Sequence, residues 1–128
     1  MSIRWKAKTA STASRERDLA RAFKGLGHPA RLHLFRTLLE RGPLPAGELA
    51  GAVPLAPSTV SQHLTQLKRC GLVRDSAQGL LRIYQVDREA WGQFRRALLP
   101  FLTSISAKYE ISSRARTYTA NPLGDGRS

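Results

Sequence analysis

One stretch constrains this chain more than any other: Ala56 to Val73, A-P-S-T-V-S-Q-H-L-T-Q-L-K-R-C-G-L-V. Proline fixes φ near the value that a first helical residue needs, so Pro57 predicts a helix start. Val60, Leu64 and Leu67 recur at helical spacing and predict one buried stripe. The opposite side carries Ser58, Gln62, Thr65, Gln66 and Arg69, with Thr59, Ser61 and His63 flanking it. Cys70 and Gly71 end the segment, glycine being the usual residue just past a helix. The open face is therefore a row of short side chains that donate and accept hydrogen bonds. That chemistry suits the reading of base edges in a DNA groove.

The rest of the chain builds a small domain around this helix. Residues 1–13 form a basic arm, with Arg4, Lys6 and Lys8 around Trp5, and are expected to be flexible. Ser14 is placed to cap a first helix with Leu19, Ala22, Phe23 and Leu26 inward, and Gly25, Gly27 and Pro29 break that pattern. A second helix, Arg31 to Glu40, is apolar almost all round and should sit at the centre of the core. Residues 41–45 read as a turn, and a short helix from Ala46 to about Ala52 buries Leu49 and Val53. Two short helices, a tight link and a polar-faced second helix are the signature of a helix-turn-helix.

Leu72 to Asp75 and Leu80 to Val86 read as two strands joined by a turn over 76–79, and a hairpin just after a recognition helix is a wing. Asp87 is placed to cap a last helix with Trp91, Phe94, Leu98, Phe101, Leu102 and Ile105 on one stripe. Pro100 should kink it. That stripe carries more large apolar side chains than one solvent-facing helix needs; it covers its own core or meets a second copy. The expected fold is mostly α with a small β-hairpin: about five helices and a two-stranded wing over residues 14–106, then a mobile tail over 107–128 where Arg114 and Arg116 could touch phosphate.

Charge points the same way. Twenty-one Lys and Arg against nine Asp and Glu leave a net charge of +12 on 128 residues. So basic a small protein is expected to bind polyanions, because each phosphate it neutralises releases condensed counterions. No Lys or Arg stands between Arg41 and Lys68, where Glu48 is the one charged residue. Affinity must then come from the flanks, namely Lys68, Arg69, Arg74, Arg82 and the N-terminal arm, while the neutral helix reads. This division of positioning from specifying is what DNA recognition calls for. A lone cysteine fits a reducing compartment, no apolar run is long enough to span a bilayer, and the N-terminus has no secretory pattern. A cytoplasmic protein is expected.

The segments F-K-G-L-G-H-P-A-R-L-H-L-F-R-T-L-L, G-E-L-A, S-T-V-S-Q-H-L-T-Q-L-K-R-C-G-L-V and L-R-I-Y-Q-V resemble the ArsR family of bacterial winged-helix repressors. The resemblance covers roughly residues 15–102. L-G-H-P-x-R-L and T-V-S-Q-H-L are each weak alone and specific together. It implies a homodimer on an imperfect palindrome in a promoter, with repression relieved by an inducer, often a metal ion. It implies pairing through the first and last helices, hence Leu19, Phe23, Trp91, Phe94, Leu98, Phe101, Leu102 and Ile105 as interface residues. By match to the motif, Ser58, Thr59, Ser61, Gln62 and His63 read DNA, with Gln66 on the same polar face, and Arg82 of the wing approaches the backbone or minor groove.

Two departures stand out. Ala56 replaces the serine that the family often places before the recognition helix. The Cys-Val-Cys of the arsenic and cadmium sensors is absent, the matching segment being Leu44-Pro45-Ala46-Gly47-Glu48-Leu49, and neither proline nor glycine ligates a soft metal. The last helix has Asp87 and Glu89 but no histidine follows His63, so the zinc-type set is missing as well. One Cys and three scattered His do not assemble a tetrahedral site within one chain. The expectation is a regulator with no metal and no cofactor.

Gln62 is the strongest candidate for direct readout, because a glutamine amide pairs bidentately with adenine. His63 either bonds a base or phosphate or packs against the preceding helix. His28 reads as a structural histidine at a helix start. Cys70 reads first as a small buried residue, with a redox switch as the alternative use. Few aromatic residues are left for base stacking, which argues against an RNA-binding winged helix, the rival reading together with non-specific DNA binding. No nucleophile, base and acid fall at a spacing that suggests an enzyme. A pure interaction protein would leave the polar face from Ser58 to Gln66 without a use.

Overall fold

The computed structural model describes the backbone of residues 12–115 and the side chains of residues 14–104. The elements run α1 (Thr12–Leu26), α2 (Pro29–Arg41), β1 (Leu44–Pro45), α3 (Ala46–Ala50), α4 (Pro57–Arg69), β2 (Val73–Gln78), β3 (Leu81–Val86) and α5 (Arg88–Ala115). The chain divides into two compact units, the first ending at Ala97 and the second beginning at Leu98.

In the first unit, α2 packs against α1, α4 and β3, while α3 packs against α4. Leu34, Phe35 and Leu38 of α2, Leu49 of α3 and Val60, Leu64 and Leu67 of α4 are buried together with Leu72 and Val73. Each such side chain contributes about 1.5–3 kcal/mol by leaving water. The stripe expected on α4 is the one the core takes up. α2 is less central than its composition suggests. Leu32 is 55% exposed and Leu39 is 40% exposed, so one apolar face of this helix looks outward. Of the α1 face, Leu19 and Ala22 are buried, whereas Phe23 is 42% exposed.

Element boundaries differ from expectation in instructive ways. α1 begins at Thr12, two residues before Ser14, and it runs through Gly25 rather than stopping there. Gly25 is required by a close approach: a Cβ built on it would collide with the Sγ and Cβ of Cys70, the residue that caps α4 at its C-terminus. α2 starts at Pro29, with His28 as its cap; His28 Nδ1 accepts from the Ala30 N–H at 3.1 Å. α3 stops at Ala50, which leaves Val53 only half-buried.

The expected turn at residues 41–45 contains a third strand. β1 pairs antiparallel with β3, Leu44 opposite Tyr84 and Pro45 opposite Ile83, giving the order β1-β3-β2. Two residues are too few for an alternating pattern, and a proline is tolerated on an edge strand, so no sequence signal marks it. The hairpin is also tighter than expected. Ser76, Ala77 and Gln78 belong to β2, and the turn is Gly79-Leu80 alone, between the paired Gln78 and Leu81. Gly79 has φ +60°, which a two-residue hairpin turn demands of its first residue and glycine supplies without strain.

Asp87 caps α5 as expected, its Oδ1 accepting from the Ala90 N–H at 3.0 Å. Phe35, Trp91, Phe94 and Phe23 form a chain of aromatic contacts, with successive ring centroids 5.2, 5.7 and 5.7 Å apart, which ties the start of α5 to α2 and α1. Beside them lies an open apolar groove of about 520 Å³, lined by Leu26, Leu32, Phe35, Leu39, Trp91 and Phe94 among others.

The second unit holds the remainder of α5. α5 continues through Pro100 and reaches Ala115, and no glycine or further proline occurs before Pro122. Leu99 is 62% and Leu102 50% exposed. Leu98 and Phe101 are half-buried. The side chains of Ile105 and Arg114, and all of residues 1–11 and 116–128, lie outside the described residues.

Candidate nucleic-acid interface

α4 is positioned by its buried stripe, so its other side must face out. Ser58, Ser61, Gln62, Gln66 and Arg69 are exposed, and Thr59, His63 and Lys68 are partly so. Thr65 stands among them, but its Oγ1 donates to the Ser61 carbonyl at 3.0 Å and is turned back on the helix. Ala56 caps the helix with no side-chain bond, and its carbonyl accepts from the N–H groups of Thr59 and Val60 at 2.9 and 3.0 Å. No capping side chain therefore stands over the first turn. Such a terminus presents amide hydrogens to an anion.

His63 flanks the polar face and is packed rather than free. Its ring lies 4.4 Å, centroid to centroid, from that of His28. Burial, and after it the neighbouring His28 and Arg31, hold its imidazole below the usual histidine range. It is thus a neutral donor and acceptor at neutral pH, not a cation.

The cations flank the reading face. Lys68 Nζ lies 3.1 Å and Arg82 Nη1 3.4 Å from the same oxygen, Oδ2 of Asp75. Asp75 was absent from the residues expected at the site. Its signal is indirect: it sits two positions past the buried Val73 and therefore on the same face of β2. Arg74 and Arg82 are both exposed, but they occupy opposite faces of the hairpin, since Arg74 pairs with Gln85 and Arg82 with Ala77. Glu48, the one acid in the neutral stretch, is paired with Arg41 at 3.3 Å.

Cys70 does not have the setting of a reactive thiol. It is buried, its Sγ donates to the Leu67 carbonyl at 3.2 Å, and burial pushes the thiol pKa up. A redox role needs an accessible thiolate, so this setting favours the first reading of Cys70, a small buried residue, here packed against Gly25. Leu19 and Phe94, expected at an interface between copies, are already 4% exposed within one chain and act as core residues. Among the described residues, no three His, Cys, Asp or Glu side chains converge as a metal site would require. Among them, too, no helix is long and apolar enough to cross a membrane.

A polar-faced helix set on a helical core and followed by a cationic hairpin defines a winged helix-turn-helix, the fold of DNA-binding transcription regulators. Comparison with known proteins agrees. Residues 26–75 match the family model of a helix-turn-helix domain. The HTH-type transcriptional regulator Rv2034 of Mycobacterium tuberculosis is 38% identical over 92 residues, which span 70% of this chain and 82% of that protein. A solved ArsR-like transcriptional regulator from Rhodococcus sp. RHA1 shares the fold with a TM-score of 0.63 at 21% identity, over 81% of this chain and 97% of its own. A crystallised ArsR family transcriptional regulator superposes with a TM-score of 0.60 at 26% identity, over 73% and 97% of the two chains. The chain belongs to the ArsR-like family of winged helix-turn-helix regulators.

Proposed function

We propose that this regulator is a repressor that binds a palindromic operator as a homodimer, in the cytoplasm, without a metal ion as its signal. One observation carries the reading of the site: the exposed hydrogen-bonding face of α4, with Gln62 at its centre, stands beside cations held at the end of α4 and on the wing. In this reading Ser58, Thr59, Ser61, Gln62, His63 and Gln66 meet bases and nearby phosphates, and Lys68, Arg69, Arg74 and Arg82 meet the backbone. A dimer presents two such helices to successive major grooves, which is why the operator is expected to be two-fold symmetric. Occupying a promoter in this way blocks transcription.

Exposed apolar residues support the homodimer. Phe23, Leu32 and Leu39 in the first unit, and Leu99 and Leu102 in the second, remain open to water within one chain. The absence of sulfur ligands from the Leu44–Leu49 segment, where α3 begins with Ala46 and Gly47, supports a signal other than a soft metal.

The test is binding to fragmented DNA from the source genome, with sequencing of what is retained, in the presence and absence of zinc. Recovery of a two-fold palindrome, unchanged by zinc, is the expected result. Retention of fragments without a motif would replace this reading by non-specific nucleic-acid binding, and release by zinc would overturn its metal-independent part.

A further inference from the structure

We propose that Asp75 is a positioning residue which latches the wing to the end of the recognition helix and sets operator selectivity through Lys68 and Arg82. The inference rests on the reading of α4 and the wing as the DNA-binding surface. It concerns a residue that itself contributes no attraction to DNA.

The geometry is specific. Lys68 lies in the last turn of α4, Asp75 is opposite Tyr84 in the β2–β3 ladder, and Arg82 is two residues before Tyr84. Asp75 and Arg82 are thus diagonal neighbours on one face of the hairpin, a separation that long side chains bridge. A single oxygen, Oδ2, accepts a hydrogen bond from Lys68 at 3.1 Å and lies at ion-pair distance, 3.4 Å, from Arg82. The carboxylate side chain is 15% exposed, whereas those of Lys68 and Arg82 are 40% and 54% exposed. The anion is inside and the two cations are outside, where a phosphate would meet them.

Two consequences follow from elementary electrostatics. Lys68 and Arg82 repel each other, and among the described residues the Asp75 carboxylate is the acid that pairs with both. Without it each long side chain recovers its rotamer freedom, and the hairpin loses its polar tie to α4. A wing in the wrong register then misplaces the base contacts of α4, because backbone contacts fix the orientation in which bases are read.

A charge-only role makes the opposite prediction. Removing an anion beside a polyanion strengthens binding to every duplex, whatever its sequence. The sign of the effect on the operator therefore decides.

Asp75→Asn keeps the side chain's shape and removes its charge. Binding of the full chain to the operator recovered from the genome, and to a random duplex of the same length, is measured over a salt series. The expected result is roughly tenfold weaker operator binding, in line with coupling between residues in one ion-pair network, with random duplex bound equally or more tightly. In a Lys68→Gln, Arg82→Gln background, Asp75→Asn is expected to leave operator affinity unchanged or slightly raised, with the tenfold loss gone. Equal tightening on both duplexes would overturn the latch, as would the same operator loss in the doubly substituted background. Should Asp75→Asn lose its helical circular dichroism, Asp75→Glu carries the test, since it keeps the charge and misplaces it by one methylene; unaltered operator selectivity in that variant would overturn the proposal. Failure of the wild-type chain to prefer any operator is a separate result, seen before a variant is made, and it sinks the operator reading and the latch together.

Discussion

His28 and His63 face each other across two helices, their ring centroids 4.4 Å apart and their planes inclined by 41°. His28 Nδ1 accepts the Ala30 N–H that opens α2, while His63 belongs to the recognition helix. The start of α2 and the reading face of α4 are therefore joined through two imidazoles, with Arg31 close enough to disfavour a further charge on His63.

Burial of His63, with His28 and Arg31 beside it, makes stability depend on pH in a definite direction. The folded chain holds His63 below the ordinary histidine value, so the unfolded chain takes up the proton first as pH falls. Above about pH 6.5, the unperturbed value, both states are neutral there and His63 contributes no pH dependence. Below it the unfolded state binds more protons and stability declines until the folded pKa is passed. His63→Gln is expected to flatten the fall in Tm between pH 7.5 and 5.5, measured by circular dichroism. Parallel wild-type and variant curves would show that another group carries the acid sensitivity.

Gly25 tests the packing of α1 on α4. Alanine is the better helix former by about 0.5–1 kcal/mol, yet its Cβ collides with both side-chain atoms of the buried Cys70. Overpacking of this kind costs about 1–3 kcal/mol, so Gly25→Ala is expected to destabilise the fold in urea titrations. Adding Cys70→Ala should restore part of the loss, because it removes Sγ and leaves Cβ in place. No recovery would place the strain elsewhere.

The same burial predicts that Cys70 is inert in the native state. Its thiol pKa is raised and its Sγ lies under α1. Alkylation by iodoacetamide at pH 8 is expected to proceed only as fast as the chain opens, and to become rapid in urea. Rapid native labelling would return Cys70 to the list of possible sensors.

Long periodic segments were legible in the sequence, and contacts between segments were not. The α4 stripe of Val60, Leu64 and Leu67 and the Asp87 cap follow from local spacing and local hydrogen bonding. β1 was hidden because a two-residue strand exists only through its partner, β3. Gly25 looked like a helix breaker because its neighbour, Cys70, is 45 positions away in the chain. Asp75 looked like an ordinary wing residue, since its two cations come from the helix before it and the strand after it. Leu32 and Leu39 looked buried because composition does not say which apolar face of a helix has a partner.

Gln62 is the substitution that separates reading from attraction. It is exposed on α4, and a bidentate contact with adenine discriminates by about 1–3 kcal/mol. Gln62→Ala is expected to weaken the recovered operator by that amount while leaving a random duplex nearly unchanged, in titrations at one fixed salt concentration. Equal losses on both would mean that Gln62 does not read bases.

The homodimer reading is tested most directly at side chains that one chain leaves uncovered. Leu102 is 50% exposed, so a charge there costs the single chain little, whereas at Phe23, 42% exposed, it also removes the edge-to-face contact with Phe94. Inside an interface the same charge is desolvated without a partner and is strongly unfavourable. Phe23→Glu and Leu102→Glu are each expected to shift the protein from dimer to monomer in sedimentation, with helical circular dichroism retained. Operator binding should fall in parallel, because two linked helices gain from effective concentration what a single one loses. Dimers that persist in both variants would remove the first and last helices as the pairing surface.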